Sequence, residues 1–255
     1  MLPEKIGSEK IYVKIDFETK SSCDGLLWLN KEQTETKNFP YVFSQCQAIL
    51  CRTVLPCQDT PNAKVYFDRV SLTVEEGINA LFGGQFESKE NVKLDFCKEK
   101  NFTKFIYTQK VCIQTYLFAL AAGEIMYQKV SERCGVYAEK GIIDKAVKEF
   151  NDMEVMLKAA EEYIDYPYIW GDYNILFLPQ GFPYGGMENP NITFLNQALL
   201  VGDKSMAPTI AHEMAHLLRN TEDNTLEHYI AQEALFDEME KLLNALPAGQ
   251  CRPNS

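Results

Sequence analysis

The sequence predicts an α+β protein in which a β-rich first half precedes a second half of mixed helices and buried strands. Three observations carry this reading. From Ile11 to about Gln128 the apolar residues recur mainly with period two. Over Lys140–Ile164 they recur at helical spacing, with charged residues between them. Near the end of the chain, His212-Glu213-Met214-Ala215-His216 has a spacing that becomes chemically useful on a helix, where residues i and i+4 share a face. The character changes around Met126–Arg133, so the expected units are residues 1–128 and 129–255.

In the first unit, Ile11–Phe17 alternates cleanly, and Lys64–Val74 and Lys104–Tyr107 are rich in β-branched and aromatic residues, as strands require. Pro40, Pro56, Pro61, Gly77 and Gly83-Gly84 punctuate these runs as turns. In the second unit, Ile142, Ile143, Ala146, Val147, Phe150, Val155, Met156, Ala159 and Ala160 outline a helical face. Tyr173–Pro179 reads as a strand buried on both faces, and Asn191–Leu195 reads as another. Asp203-Lys204-Ser205 opens the helix that carries the two histidines, with Ser205 as its cap and Pro208 acceptable in the first turn.

Two imidazoles stacked one turn apart can share one zinc ion. Glu213, one residue after His212, then lies beside the metal and not on it, where its carboxylate can take a proton from an activated water. That is hydrolase chemistry. The chain has three histidines, His212, His216 and His228, all in its last quarter. The competing reading makes His212 and His216 ordinary polar residues of an amphipathic helix, paired by accident.

Composition bounds the rest. With 255 residues and 46% hydrophobic content the chain can bury a sizeable core. A net charge of −11 and no basic patch argue against nucleic acid as a partner. The N-terminus lacks the apolar stretch of a secretory signal and no run reaches the length of a membrane span, so a cytoplasmic address and no membrane partner are expected. Eight cysteines without a C-x-x-C pair read as free thiols.

Gly185-Gly186-Met187-Glu188-Asn189-Pro190 stands ahead of the histidine pair, with 24 positions from Glu188 to His212. Together with Tyr41–Ala48, Leu55–Pro61, Phe182-Pro183-Tyr184 and Gly202–Ser205, this segment resembles peptidase family M1, the zinc aminopeptidases, one soluble member of which also hydrolyses an epoxide. The resemblance runs from about Ile11 to His216 and thins beyond. It implies part of a saddle-like β domain followed by the front of a thermolysin-like α/β domain. It also implies one Zn2+ ion and peptide substrates with a free N-terminus. His212 and His216 would be metal ligands and Glu213 the catalytic base. The family's third ligand, a glutamate, follows the second histidine after 18 intervening residues, a count that here reaches Leu235. Glu233 becomes the candidate if the loop is two residues shorter, and a solvated surface charge is its other reading.

An exopeptidase must hold an α-ammonium near the metal. Glu188 would supply the carboxylate, with Gly185, Gly186 and Met187 offering a backbone edge along which a peptide can lie. By resemblance Gln45 and Gln47 reach the same pocket and Tyr184 lines it. Gln45 and Gln47 read equally well as polar residues satisfying a buried loop. The family's oxyanion tyrosine has no counterpart in this sequence. The alternative to an enzyme is therefore a shortened relative that binds peptide or a partner, with self-association through uncovered faces.

Overall fold

The computed structural model describes residues 11–219, and its twelve strands and four α-helices arrange in three sheets. Strands β1 (Leu26–Leu29), β2 (Tyr41–Ser44), β4 (Asn79–Phe82) and β7 (Leu120–Gly123) form an antiparallel sheet in the order β1-β2-β7-β4. Strands β3 (Lys64–Glu75), β5 (Gln85–Leu94) and β6 (Cys97–Gln114) form a long antiparallel ribbon in the order β3-β6-β5. A short helix, α1 (Cys51–Val54), follows β2. Gly77 takes φ +97° in the turn between β3 and β4, a left-handed conformation that costs glycine little.

The third sheet positions the site. It contains β8 (Ile125–Lys129), β9 (Cys134–Glu139), β10 (Tyr173–Leu178), β11 (Gly186–Met187) and β12 (Ile192–Asn196), ordered β11-β12-β10-β9-β8. Strands β9, β10 and β12 run parallel, and the two outer strands run antiparallel to their neighbours. A parallel pair needs a long crossover. Between β9 and β10 it is supplied by α2 (Ile143–Glu149) and α3 (Met153–Ile164). Central β10, Tyr-Asn-Ile-Leu-Phe-Leu, is buried on both faces, which explains its run of four apolar residues from Ile175 to Leu178. Phe177 of this strand stacks on Phe150 with ring centroids 5.5 Å apart. The last described helix, α4 (Ala207–Arg219), buries Ala207, Ile210, Ala211, Met214, Ala215 and Leu218, a stripe at i, i+3 and i+4 spacing.

One hydrophobic core runs through both halves, joining Tyr41, Phe43, Leu81 and Leu117 to Val136, Ile175, Phe194 and Met214. A second fills the space between the four-stranded sheet and the ribbon, around Phe82, Phe105, Tyr107 and Phe118. The mixed α+β architecture agrees with the sequence, and Lys64–Val74, Tyr173–Pro179 and Asn191–Leu195 are strands as expected. Three local expectations need correction. Ile11–Phe17 is not a strand; its side chains are exposed, and it has no neighbouring strand among the described residues to complete its backbone hydrogen bonds. Lys140–Ile164 is two helices, broken at Asn151-Asp152, residue types whose side chains compete for backbone hydrogen bonds. The histidine-bearing helix starts at Ala207, two residues beyond Ser205, and the preceding turn is closed by Asp203, whose carboxylate accepts the Ser205 N–H at 2.9 Å. The strand Ile125–Lys129 spans residue 128 and pairs along its length with Cys134–Glu139. The seven cysteines among the described residues are free thiols.

An ion-pair cluster ties α3 to the loop before β9. Arg133 donates to Glu154 at 3.2 Å and to both oxygens of Glu161 at 2.9 and 2.8 Å, and the Ser131 hydroxyl donates to Glu154 at 2.8 Å. Burial alone would raise the Glu154 pKa, but the Ser131 hydroxyl and the Arg133 guanidinium outweigh it and hold the carboxyl at about 2. A carboxyl held below its ordinary 4.5 stabilises the fold above that pH, and the contribution disappears as pH falls toward about 2. Glu154→Gln should therefore cost about 1–3 kcal/mol near neutral pH. Denaturant titrations of parent and variant should show the gap closing on acidification through this window; a gap independent of pH would contradict the assignment.

Candidate metal and substrate site

Helix α4 buries its apolar stripe against the rest of the domain and leaves His212 and His216 toward the open side. Their Nε2 atoms are 3.1 Å apart, with ring centroids at 4.6 Å and planes at 83°. Two imidazole nitrogens bound to one tetrahedral zinc at about 2.0–2.1 Å are held roughly 3.3 Å apart. The pair thus has the donor chemistry and the spacing that one zinc ion needs. Among the described residues no group of three His, Cys, Asp or Glu side chains forms a metal-holding cluster, and Glu233, the expected third ligand, lies outside the described residues.

Glu213 follows His212 by one residue and so turns about 100° away from it. This places its side chain in the buried seam between α4 and β11. There it lies directly against the backbone of Gly186. A β-carbon on Gly186 would stand 2.5 Å from the Glu213 carboxyl carbon and 2.7 Å from its Cγ, closer than real side chains approach. Gly185 is different, since its nearest neighbour would be Thr209 Cγ2 at an ordinary 3.8 Å. The second glycine of the segment therefore makes room for Glu213.

Strand β11 is the end strand of its sheet, so its outer backbone edge has no strand partner among the described residues. Its entry is fixed by Asn196, whose N–H donates to Gly185 O at 2.9 Å and whose side-chain amide donates to Phe182 O at 2.8 Å and Tyr184 O at 3.2 Å. Past the strand, the Asn189 N–H donates to Met187 O at 2.9 Å, a three-residue γ-turn centred on Glu188. Glu188 at its centre is close enough to His212 and Glu213 of α4 to interact with both electrostatically. Burial raises the Glu188 pKa, opposed by its own backbone N–H and by His212. Burial and then the Glu188 charge push the Glu213 carboxyl up to about 8, while burial and His216 lower the His212 pKa. Two glutamates and two histidines thus share one electrostatic neighbourhood. A divalent cation there would draw both carboxyls back toward their ionised forms.

Gln45 comes from the other half of the molecule. It follows β2, is buried, and donates from Nε2 to the Met187 sulfur at 3.7 Å, which brings it to the Gly-Gly-Met-Glu segment. Its carbonyl Oε1 is buried with no partner among the described residues. Gln47 sits two residues on, exposed in the turn after β2. Tyr184 is half exposed and packs edge-on against Phe182, centroids 5.9 Å apart, which in turn packs on Phe43 of β2. Asn196 is the contributor that sequence reasoning missed. Its only signal was position, at the end of the strand that pairs with β11.

Known proteins are similar to this chain. The peptidase M1 N-terminal domain matches residues 1–117 and the peptidase family M1 domain matches residues 148–218. A leukotriene A-4 hydrolase of Xenopus laevis is 42% identical over 211 residues, covering 82% of this chain and 33% of its own length. A leucine aminopeptidase 2 of Yarrowia lipolytica is 43% identical over 216 residues, covering 84% and 31% respectively. The chain therefore spans about a third of the length of these relatives. The structure of native yeast LTA4 hydrolase superposes with a TM-score of 0.67 at 36% identity, over 78% of this chain and 29% of that one. No helix among the described residues is long and apolar enough to cross a membrane. Both halves of the chain match consecutive domains of one family, in order and across the site just described, and the chain belongs to peptidase family M1.

Proposed function

We propose that this chain carries the zinc-binding and N-terminus-reading parts of an aminopeptidase, divided near residue 128 between a β-rich unit and a catalytic unit. The observation that carries it is the convergence of the His212 and His216 Nε2 atoms at 3.1 Å, one residue from a buried Glu213 held against Gly186. His212 and His216, with Glu233, would hold the ion. When bound, zinc supplies a Lewis acid that acidifies water and polarises the scissile carbonyl. Glu213 accepts the proton of the attacking water on its carboxylate and returns it to the leaving amine. The peptide lies along the free edge of β11, formed by Gly185, Gly186 and Met187, with its α-ammonium on Glu188. Gln45 offers its buried Oε1 to the same end of the peptide, and Gln47 and Tyr184 border it.

Reading a free N-terminus makes a direct prediction. Acetylating the N-terminus of a test peptide removes the charge that Glu188 pairs with, so cleavage should stop. Glu188→Ala should raise KM for the free peptide about tenfold to a hundredfold, the worth of a charge-assisted hydrogen bond. Equal cleavage of both peptides would remove Glu188 from this role.

The names of the relatives point to two chemistries, peptide and leukotriene A4, and we extend both to this chain in that order, since the edge strand and Glu188 suit a peptide. Binding of peptide or a partner without turnover is the alternative, supported by the same edge strand and Glu188, neither of which needs the metal. A cytoplasmic location and self-association through uncovered faces complete the proposal.

A further inference from the structure

A cavity of about 470 Å3 lies between the ribbon and the third sheet, and none of its lining residues belongs to the His–Glu site. We propose that it is a second small-molecule site that takes a free α-amino acid with an aromatic side chain, its ammonium on Asp172, its carboxylate on Lys89 and its ring between two aromatic pairs. One pair is Phe86 and Tyr107, edge to face at 5.5 Å, from the ribbon; the other is Tyr127 and Tyr137, at 4.6 Å, from β8 and β9. The volume falls in the range of roughly 300–1,000 Å3 typical of ligand pockets.

Three features mark this as a built site. Phe86 and Tyr127 are 53% and 48% exposed, and both line this one cavity, where isolated surface aromatics would be scattered. The opposing walls are locked together. Gln85 and Asn191 both donate to the Trp170 carbonyl, at 2.5 and 2.6 Å, and Gln109 donates to Asn191 at 2.9 Å. Gly135 clears the space that the Tyr127 ring occupies, its Cβ position being filled by that ring and by Asn174. A pocket preorganised in this way loses little entropy on binding.

The charges select the ligand. Asp172 and Lys89 are the only acidic and basic side chains lining the cavity, both are exposed, and neither has an ion pair among the described residues. Asp172 lies near both Tyr127 and Tyr137, whose hydroxyl pKa values it raises after burial and other causes, so its charge stands at the aromatic wall. Lys89 is on the facing ribbon. A purely cationic ligand would leave Lys89 opposed, and an anionic one would leave Asp172 opposed; a zwitterion satisfies both. The biological sense of such a site, holding the class of molecule an aminopeptidase releases, rests on the reading above, whereas its existence does not.

Calorimetric titration of the full chain with L-phenylalanine decides the matter. Saturable binding of one molecule is expected. Asp172→Asn and Lys89→Met should each weaken it by about tenfold, as should N-acetylation or amidation of the amino acid, each removing one charged hydrogen bond. Glu188→Gln should leave it intact. No saturable binding would overturn the proposal. So would binding lost in Glu188→Gln but kept in Asp172→Asn, which would move the amino acid to the metal-side site. Both cavity substitutions are at exposed positions; should one fail to fold, the other and the two modified ligands still decide.

Discussion

Glu213→Gln is expected to lower aminopeptidase turnover by roughly 10²–10⁴ while the metal content of the protein stays at the parent level, because the amide fills the same space but cannot carry the proton. The side chain is buried between α4 and β11. Parallel measurement of kcat and of bound zinc checks this. Parent-level turnover in the variant would remove Glu213 from the chemistry, and loss of zinc would make it a ligand instead of a base.

Gly186→Ala is expected to act on the same group from the other side. The added methyl would occupy the place where the Glu213 Cγ and carboxyl carbon now stand 2.7 and 2.5 Å from the ideal Cβ position, so the carboxyl must swing away. A displacement of about 1 Å at a catalytic group can cost on the order of a hundredfold in rate. The accompanying loss of stability should be about 1–3 kcal/mol, as for overpacking elsewhere. Here kcat should fall while the protein still unfolds cooperatively and still binds zinc. Parent-like kcat would show that the base is positioned by something other than this contact.

Much of this was visible in the sequence, for identifiable reasons. Tyr173–Leu178 and Ile192–Asn196 are buried on both faces, so their apolar runs could not be mistaken for surface strands. The pattern of α4 and its histidines is local to one helix, and local periodicity is what a sequence displays best. Contacts between distant segments were less legible. The Gln45–Met187 contact joins residues 142 positions apart, and only the family resemblance suggested it. The need for glycine at 186 comes from Glu213 on another element, so the segment read alone suggested only a bare backbone edge. Ile11–Phe17 shows the reverse failure, a clean alternation with no neighbouring strand among the described residues. Strand β6 ran far beyond the recognisable Lys104–Tyr107, because its charged beginning, Cys97-Lys98-Glu99-Lys100, is exposed on a two-sided ribbon where alternation is not enforced by burial.

In the function proposed above, His212 and His216 hold the zinc of an aminopeptidase site. Hydrolysis of an aminoacyl fluorogenic amide by folded, zinc-replete protein tests it most directly, with and without a chelator and with zinc counted in the same preparation. Expected are one zinc per chain, release of the fluorophore, loss of release on chelation and its return on adding zinc, with His216→Ala lacking both metal and activity. Zinc well below one per chain, or release indifferent to the chelator, would contradict it.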